Sequence, residues 1–205
     1  METSLLENRD YTLIIDKSTS MSTLDQPGEK SRWEIVQEST LALARKCEQF
    51  DADGITVYLF SDGFQRFEQV TAEKVAQIFA ENTPKGSTNL VSALQDATKN
   101  YFQRKKQGQT KTGGETILVV TDGEPNERWS LIDVIIKASQ QMQQEQELAI
   151  SFIQVGSDPK ATRFLKSLDE QLESIGAKFD ICDTVTLEDM DDKPLAEVLL
   201  NAILD

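Results

Sequence analysis

The sequence predicts one three-layer α/β domain. Its sheet is doubly wound, six-stranded and mostly parallel, with one antiparallel edge strand and helices on both faces. Short apolar, β-branched runs alternate with longer segments in which apolar residues recur at helical spacing. The length of 205 residues fits a single domain over residues 1–205, with its core over about residues 10–204, since no internal repeat or linker interrupts the alternation.

The predicted strands are compact and mostly apolar. Those expected to be parallel and buried on both faces cover residues 11–15, 55–60, 116–121, 148–155 and 178–182. The remaining strand, over residues 64–70, follows the dipeptide Asp62-Gly63, which favours a tight turn. Because so short a turn can join only antiparallel strands, we expect this strand at an edge of the sheet.

The predicted helices fill the intervals between these strands. They cover residues 31–50, 71–82, 89–106 and 129–145, a segment that begins at residues 158–159, and residues 194–204. Thr71 is expected to cap its helix, and Asp158 followed by Pro159 is the usual order of a helix start. The basic residues 104–111 are expected to form a solvated helix end and loop, where cations suit the helix dipole.

The composition excludes several classes of function. There are 35 acidic and 21 basic residues, and the formal net charge of −14 disfavours binding to nucleic acids and anionic membranes. The chain has no histidine, which excludes Ser–His and Cys–His nucleophiles and histidine zinc sites. The longest apolar runs fall far short of the ~20 residues that a membrane-spanning helix needs.

The cysteines and the N-terminal residues favour a cytoplasmic location. Cys47 and Cys182 stand 135 positions apart (182 − 47), match no metal-binding spacing, and are interpreted as buried thiols with no disulfide. The first ten residues, METSLLENRD, lack the basic region and the apolar stretch of a secretory signal. We therefore expect a cytoplasmic protein.

Polar residues are concentrated in three clusters. The first covers residues 16–21, directly after the first strand; the second, residues 86–90, opens a helix; the third, residues 121–125, ends the fourth strand. In open α/β sheets, sites form in the crevice beyond the carboxyl ends of the strands. The clusters supply two carboxylates and several hydroxyls, a set of hard oxygen donors that suits Mg²⁺, Mn²⁺ or Ca²⁺.

The three clusters resemble the metal-site motifs of von Willebrand factor A (vWA) domains. The segment DKSTSM is similar to that family's DxSxS signature, and Thr88 in GSTNL and Asp122 in VVTDGEP resemble its second and third motifs, in the same order. The resemblance implies a Rossmann-like fold and a metal-ion-dependent adhesion site (MIDAS). The implied metal ligands are Asp16, Ser18, Ser20, Thr88 and Asp122. Thr19 departs from the family, which often has glycine there.

From this resemblance we expect a metal-dependent protein-binding module without catalytic activity, of the bacterial, stand-alone, intracellular type. Mg²⁺ is the first candidate for the cation, with Mn²⁺ or Ca²⁺ as alternatives. A Glu or Asp of a protein partner would complete the coordination, which explains how an acidic chain can bind an acidic group. Residues 126–129 either line the rim that selects the partner or form only a loop and a helix start.

Other interpretations of these residues remain open. Taken singly, Asp16 and Thr88 could cap helices or turns, the serine hydroxyls could bind backbone, and Asp122 could be a turn residue. Asp62 favours a turn role over a site role. A haloacid dehalogenase-like phosphatase also has an Asp after a strand, but its general acid is a second Asp where this chain has Ser18. A hydroxyl does not serve as a general acid near neutral pH. A vWA fold that binds partners without metal is the third possibility.

Overall fold

The computed structural model describes residues 8–47 and 54–186, which contain six β-strands and five α-helices. The strands are β1 (Asp10–Asp16), β2 (Ile55–Phe60), β3 (Phe64–Val70), β4 (Glu115–Thr121), β5 (Leu148–Gln154) and β6 (Cys182–Val185). The helices are α1 (Arg32–Cys47), α2 (Ala72–Glu81), α3 (Leu90–Lys106), α4 (Arg128–Gln141) and α5 (Pro159–Gln171). The helix predicted over residues 194–204 lies outside the described residues.

The six strands form one sheet in the order β3-β2-β1-β4-β5-β6. All neighbours are parallel except β2 and β3, which are antiparallel. The predicted architecture is therefore confirmed, including the antiparallel strand at one edge. The chain leaves β1 towards β2 and leaves β4 towards β5, so the direction of winding reverses between β1 and β4. Such a reversal opens a crevice beyond the carboxyl ends of these two strands.

Alternating side chains of the central strands build two apolar layers. Leu13 and Ile15 of β1 face one layer, to which α1 and α2 contribute Trp33 and Phe79. Ile14, from the same strand, faces the other layer, which α3, α4 and α5 cover. Because side chains alternate along a strand, a strand covered on both faces must be apolar at almost every position. This packing fixes the carboxyl ends of β1 and β4 from both sides.

The prediction of the sixth strand over residues 178–182 is wrong, since β6 begins only at Cys182. The backbone N–H groups of Lys178 and Phe179 donate to the hydroxyl of Ser139, at 2.6 and 3.0 Å. These bonds hold the segment before β6 against α4. Pairing with β5 therefore begins about four residues later than the apolar pattern indicates.

Helix starts follow the predicted signals more closely than helix ends. The side chains of Thr71 and Asp158 accept hydrogen bonds from the first turns of α2 and α5, as expected. The cap of α3 is Asn89 and not Thr88, which removes capping as the role of the Thr88 hydroxyl. Helix α4 ends at Gln141, four positions before its predicted end (145 − 141), and a short 3-10 turn follows.

The expectation that residues 104–111 form only a solvated helix end is wrong for Arg104. Its Nη1 lies 2.9 Å from Oδ2 of Asp10, and its Nη2 contacts the carboxylate of Glu115, whose side chain is 1% exposed. The hydroxyl of Thr12 donates to the same carboxylate at 2.6 Å. Burial raises the pKa of Glu115. Arg104 thus neutralises a buried carboxylate at the start of β4.

Cys182 is a buried thiol without a disulfide partner among the described residues, and burial raises its pKa. The side chain of Cys47 lies outside the described part of the chain. None of the helices within residues 8–47 and 54–186 has the length and apolar character needed to cross a membrane.

Candidate metal centre

Three side-chain oxygens from the first and third clusters meet beyond β1 and β4. The hydroxyls of Ser18 and Ser20 lie 3.0 Å apart, and the Ser20 hydroxyl donates to Oδ1 of Asp122 at 2.8 Å. Ser18 and Asp122 are each 2% exposed, whereas Ser20 is open to solvent. A short 3-10 helix, Thr19–Ser22, follows Ser18 directly, and its tight winding brings Ser20 back beside Ser18. The first and third clusters are therefore in direct contact.

Asp16 ends β1 and is completely buried. Its Oδ1 accepts the backbone N–H of Ser18 at 2.7 Å, and its Oδ2 accepts the hydroxyl of Thr121 at 2.7 Å. Burial raises the pKa of Asp16 to about 6; the charge of Asp122 adds to this rise, and the hydrogen bonds from Ser18 and Thr121 oppose it. A cation beside the two carboxylates would favour their charged forms.

Thr88 approaches the other two clusters through backbone contacts of its loop. Its carbonyl oxygen accepts the N–H of Asn126 at 3.4 Å. The nearby carbonyl of Gly86 accepts both the N–H and the hydroxyl of Thr19, each at 3.2 Å. Thr19, where the family often has glycine, therefore ties the first cluster to the second. All five predicted site residues lie at one edge of the sheet, and their role as metal ligands stays a prediction.

Asp62 supports the site in a way that the sequence did not indicate. It lies in the turn between β2 and β3, as predicted, but its Oδ1 also accepts the N–H of Ser87 at 2.9 Å and the Ser87 hydroxyl at 2.7 Å. These bonds lower the pKa of Asp62. They anchor the loop that carries Thr88. A turn motif predicts local shape only and does not say which distant loop will pack against it.

Arg32, the first residue of α1, is the other residue that the motifs missed. Its Nη1 lies 2.8 Å from Oδ2 of Asp122, and its Nε lies 3.0 Å from Oδ2 of Asp25. Hydrogen bonds to Asp25 and then to Asp122 raise the pKa of the guanidinium, against the opposing effect of burial. A Cβ at Gly156 would come 2.5 Å from the guanidinium carbon, so a larger residue there would push the guanidinium out of its position. A cation at a helix N-terminus opposes the helix dipole, which is the signal that could have marked Arg32.

Residues 126–129 form a loop and the start of α4 beside the candidate site, and their role in selecting a partner stays a prediction. Asn126 contacts the Thr88 loop, and Arg128, at the start of α4, pairs with Glu124 four positions earlier. Trp129 lies in the first turn of α4 and is 78% exposed. An exposed aromatic side chain therefore stands at the same edge of the sheet as the candidate site.

The oxygen donors fit a hard divalent cation. Within the described ranges, no three His, Cys, Asp or Glu side chains come together as a metal-binding group. Hydroxyls must therefore complete a set that has two carboxylates, Asp16 and Asp122. In the same ranges every buried side-chain nitrogen or oxygen has a hydrogen-bond partner, and the hydroxyls of Ser18 and Ser20 contact neighbouring oxygens. A cation would replace those hydrogen bonds with oxygen coordination.

Replacing Gly86 by alanine is expected to disturb the candidate site, whereas the same change at Gly108 is not. Both glycines have positive φ angles, +88° and +68°, so alanine costs each backbone about 1 kcal/mol. A Cβ on Gly86 would come 2.7 Å from Oδ2 of Asp62, whereas the space around a Cβ on Gly108 is open. Asp62 must therefore move away and release Ser87 only in the Gly86 variant.

Denaturant unfolding and calorimetric cation titration of Gly86→Ala and Gly108→Ala would measure this difference. We expect the larger loss of stability, and a weaker cation affinity, in Gly86→Ala alone. Equal losses of stability with unchanged cation affinity in both variants would contradict a tether between Asp62 and the Thr88 loop.

Comparison with known families supports the resemblance of the motifs. The sequence model of the von Willebrand factor type A domain matches residues 11–124, a span of 114 of the 205 residues (124 − 11 + 1). The span includes the first two polar clusters and residues 121–124 of the third, with Asp122 among them. No curated protein matches the chain significantly in sequence.

Solved structures share the fold at low sequence identity. A PilB minor pilin variant from Streptococcus sanguinis has a TM-score of 0.64 and 13% identity, with 96% of this chain and 60% of that chain covered. A von Willebrand factor type A protein from Catenulispora acidiphila has a TM-score of 0.60 and 17% identity, with 96% of this chain and 42% of that chain covered. Manganese-loaded TRAP protein from Plasmodium vivax has a TM-score of 0.54 and 16% identity, with 93% of this chain and 74% of that chain covered.

At these identities the likeness shows the fold alone, and this chain spans less than two thirds of the first two relatives. The family match, by contrast, covers more than half of the chain and includes all five of the predicted metal ligands. On that match, this chain belongs to the von Willebrand factor type A domain family.

Proposed function

We propose that this chain is a protein-binding module that depends on a divalent cation held at a MIDAS. The proposed ligands are Asp16, Ser18, Ser20, Thr88 and Asp122. The proposal rests on one observation: the side-chain oxygens of Ser18, Ser20 and Asp122 are linked at 3.0 Å or less beside the buried Asp16. Mg²⁺ is the first candidate and Mn²⁺ or Ca²⁺ the alternatives; the manganese-loaded TRAP relative supports a divalent cation.

The residues of the site divide the work between charge and coordination. The bound cation would supply a positive centre for an incoming carboxylate. The hydroxyls of Ser18 and Ser20 are neutral, so they can bind a cation without cancelling its charge. Asp122 shares its carboxylate with Arg32, which leaves Asp16 as the carboxylate without a cationic partner among its hydrogen bonds. A Glu or Asp of a partner protein then completes the balance of charge, despite the net charge of −14 on this chain.

We propose binding and not catalysis. Both carboxylate oxygens of Asp16 accept hydrogen bonds, and Ser18, where a phosphatase of the dehalogenase type has its acid, contacts Ser20. The phosphatase alternative is therefore not favoured. An intracellular, bacterial setting, with neither nucleic acid nor membrane as a partner, belongs to the same proposal and rests on the sequence alone.

Calorimetric titration of Mg²⁺, Mn²⁺ and Ca²⁺ into chelator-treated protein tests the proposal. We expect one saturable site in the wild type and about tenfold weaker binding in Ser20→Ala, which loses one oxygen ligand. Ser174→Ala is the matched control, because Ser174 is an exposed serine whose hydroxyl donates to the nearby carbonyl of Gln171. Its cation affinity should equal that of the wild type.

Acetate provides a simple probe of the proposed partner group. A carboxylate that binds the held cation must also tighten binding of the cation, because coupling between two ligands is reciprocal. We therefore expect acetate to increase the apparent affinity for Mn²⁺ in the wild type. Absence of binding for all three cations would instead indicate a vWA scaffold that works without metal.

A further inference from the structure

The starting observation is the position of Arg32 between two carboxylates. Its Nη1 lies 2.8 Å from Oδ2 of Asp122, whose side chain is completely buried, and the Arg32 side chain is 13% exposed. On the other side, Nε and Nη2 lie 3.0 and 2.5 Å from Oδ2 of Asp25, whose side chain is 33% exposed. The guanidinium rests against Gly156, where a Cβ would collide with it. Arg32 therefore contacts three segments of the chain, two of which offer it a carboxylate.

This position divides the carboxylate of Asp122 between two partners. Oδ1 accepts the hydroxyl of Ser20 at 2.8 Å, and Oδ2 is paired with Arg32. An arginine keeps its charge over the whole pH range in which proteins are studied. A permanent positive charge therefore lies within hydrogen-bonding distance of a proposed cation ligand, and like charges repel strongly where water is largely excluded.

Asp25 gives Arg32 an alternative partner. Its carboxylate accepts from both Nε and Nη2, so the guanidinium stays neutralised when Asp122 turns towards another cation. The cost of withdrawing Arg32 from Asp122 is lowered accordingly. A bound divalent cation and Arg32 would therefore compete for the carboxylate of Asp122. The carboxylate of Asp25 would keep Arg32 paired when the divalent cation displaces it from Asp122.

We propose that Arg32 is the resident counter-cation of Asp122 and sets the affinity of the site for divalent cations by competing for that carboxylate. This inference rests on the proposed function, because it assumes that Asp122 takes part in holding the cation. Arg32 acts as a positioning residue: it weakens cation binding when it sits on Asp122, and Asp25 moderates this effect by drawing it away.

Replacing Arg32 by glutamine tests the proposal with Mn²⁺ alone as the probe. We expect Arg32→Gln to bind Mn²⁺ about tenfold tighter than the wild type by calorimetry, since one neighbouring positive charge is removed. Lys30→Gln is the matched control, because Lys30 lies two positions earlier and pairs with Glu38, away from Asp122. It changes the net charge equally, and its affinity should stay within about twofold of the wild type.

A second variant keeps the test independent of how well Arg32→Gln folds. Asp25→Asn removes the alternative partner and leaves Arg32 on Asp122, so Mn²⁺ binding should weaken several-fold. Asp133→Asn is its control, since Asp133 is exposed and pairs with Lys137 on α4. Opposite shifts in Arg32→Gln and Asp25→Asn are the signature of competition, because a merely structural role for Arg32 would weaken binding in both variants.

The outcomes separate this inference from the proposed function. Wild-type protein that binds Mn²⁺, with Arg32→Gln binding no tighter, would overturn the role of Arg32 and leave the cation site standing. Binding by Arg32→Gln alone would support the competition in its strongest form. Failure of both proteins to bind would overturn the inference and the proposed function together.

Discussion

Replacing Asp16 by asparagine is expected to stabilise the cation-free protein and to abolish its response to cations. Burial raises the pKa of Asp16 from 3.8 to about 6. Because the folded-state pKa of Asp16 lies above its unfolded-state value, the contribution of Asp16 to stability is fully present below about pH 4 and is lost as the pH rises through about 6. The full rise corresponds to on the order of 3 kcal/mol. Asparagine carries no charge, so the variant avoids this loss at neutral pH.

Asparagine also keeps the local hydrogen bonds. Its side-chain oxygen can accept the N–H of Ser18, and its amide can donate to the hydroxyl of Thr121, which has a second acceptor in the carbonyl of Gly123 at 3.3 Å. The fold should therefore survive the change. What is lost is one of the two carboxylates that neutralise the cation.

Denaturant unfolding in chelator, and again with Mg²⁺ or Mn²⁺, measures both effects. The wild type should gain about 2.7 kcal/mol at a cation concentration 100 times its dissociation constant, and Asp16→Asn should gain nothing. Asp133→Asn, an exposed site on α4, should behave as the wild type. A full cation response in Asp16→Asn would exclude Asp16 as a ligand. Lower stability than the wild type in chelator at neutral pH would contradict the cost assigned to its charge.

Replacing Arg104 by methionine is expected to destabilise the protein by about 2–3 kcal/mol at neutral pH. Arg104 neutralises Glu115, whose side chain is 1% exposed, and removal of one partner leaves a buried charge uncompensated. The partial exposure of Arg104, at 27%, keeps the expected loss below that of a fully buried pair. Without Arg104 the pKa of Glu115 should rise further, so the variant loses stability as the pH increases and recovers it as Glu115 takes up a proton.

Lys105→Met is the matched control for this prediction. Lys105 is the next residue of α3, and its partner Glu147 is more exposed than Glu115, at 15%. The net charge changes equally, and the expected loss of stability is under about 1 kcal/mol. Unfolding at acidic and neutral pH would show whether the defect of Arg104→Met shrinks at acidic pH. A defect independent of pH would place its cause in lost packing and not in the charge of Glu115.

The central part of the fold was predictable because buried parallel strands must be apolar at nearly every position. The runs that contain Leu13 and Val119 could hardly serve another purpose, and the turn at Asp62-Gly63 allows only an antiparallel neighbour. The start of β6 was not predictable, since it depends on hydrogen bonds from residues 178 and 179 to Ser139, which lies on α4, about 40 positions earlier in the chain. Local patterns carry no information about such a contact.

In the candidate site, too, the local features were predictable and the contacts between distant residues were not. Its three motifs are local, and the rule that sites form beyond strand ends predicted that Asp16 and Asp122 would lie at one edge. The roles of Arg32 and Asp62 depend on pairs that are 90 (122 − 32) and 25 (87 − 62) positions apart in the chain. Such pairs become visible only when the fold places them side by side.

The two tryptophans of this chain have sharply different surroundings. Trp33 is 7% exposed and lies 4.6 Å from the ring of Phe79, whereas Trp129 is 78% exposed. They stand next to the starts of α1 and α4, which cover opposite faces of the sheet on either side of the crevice. We therefore expect the fluorescence of the protein to be the sum of a blue-shifted emission from Trp33 and a red-shifted emission from Trp129, of which a water-soluble quencher should remove only the second. The chain carries an optical reporter at each wall of the crevice, and movement of either helix start can be followed without an attached dye.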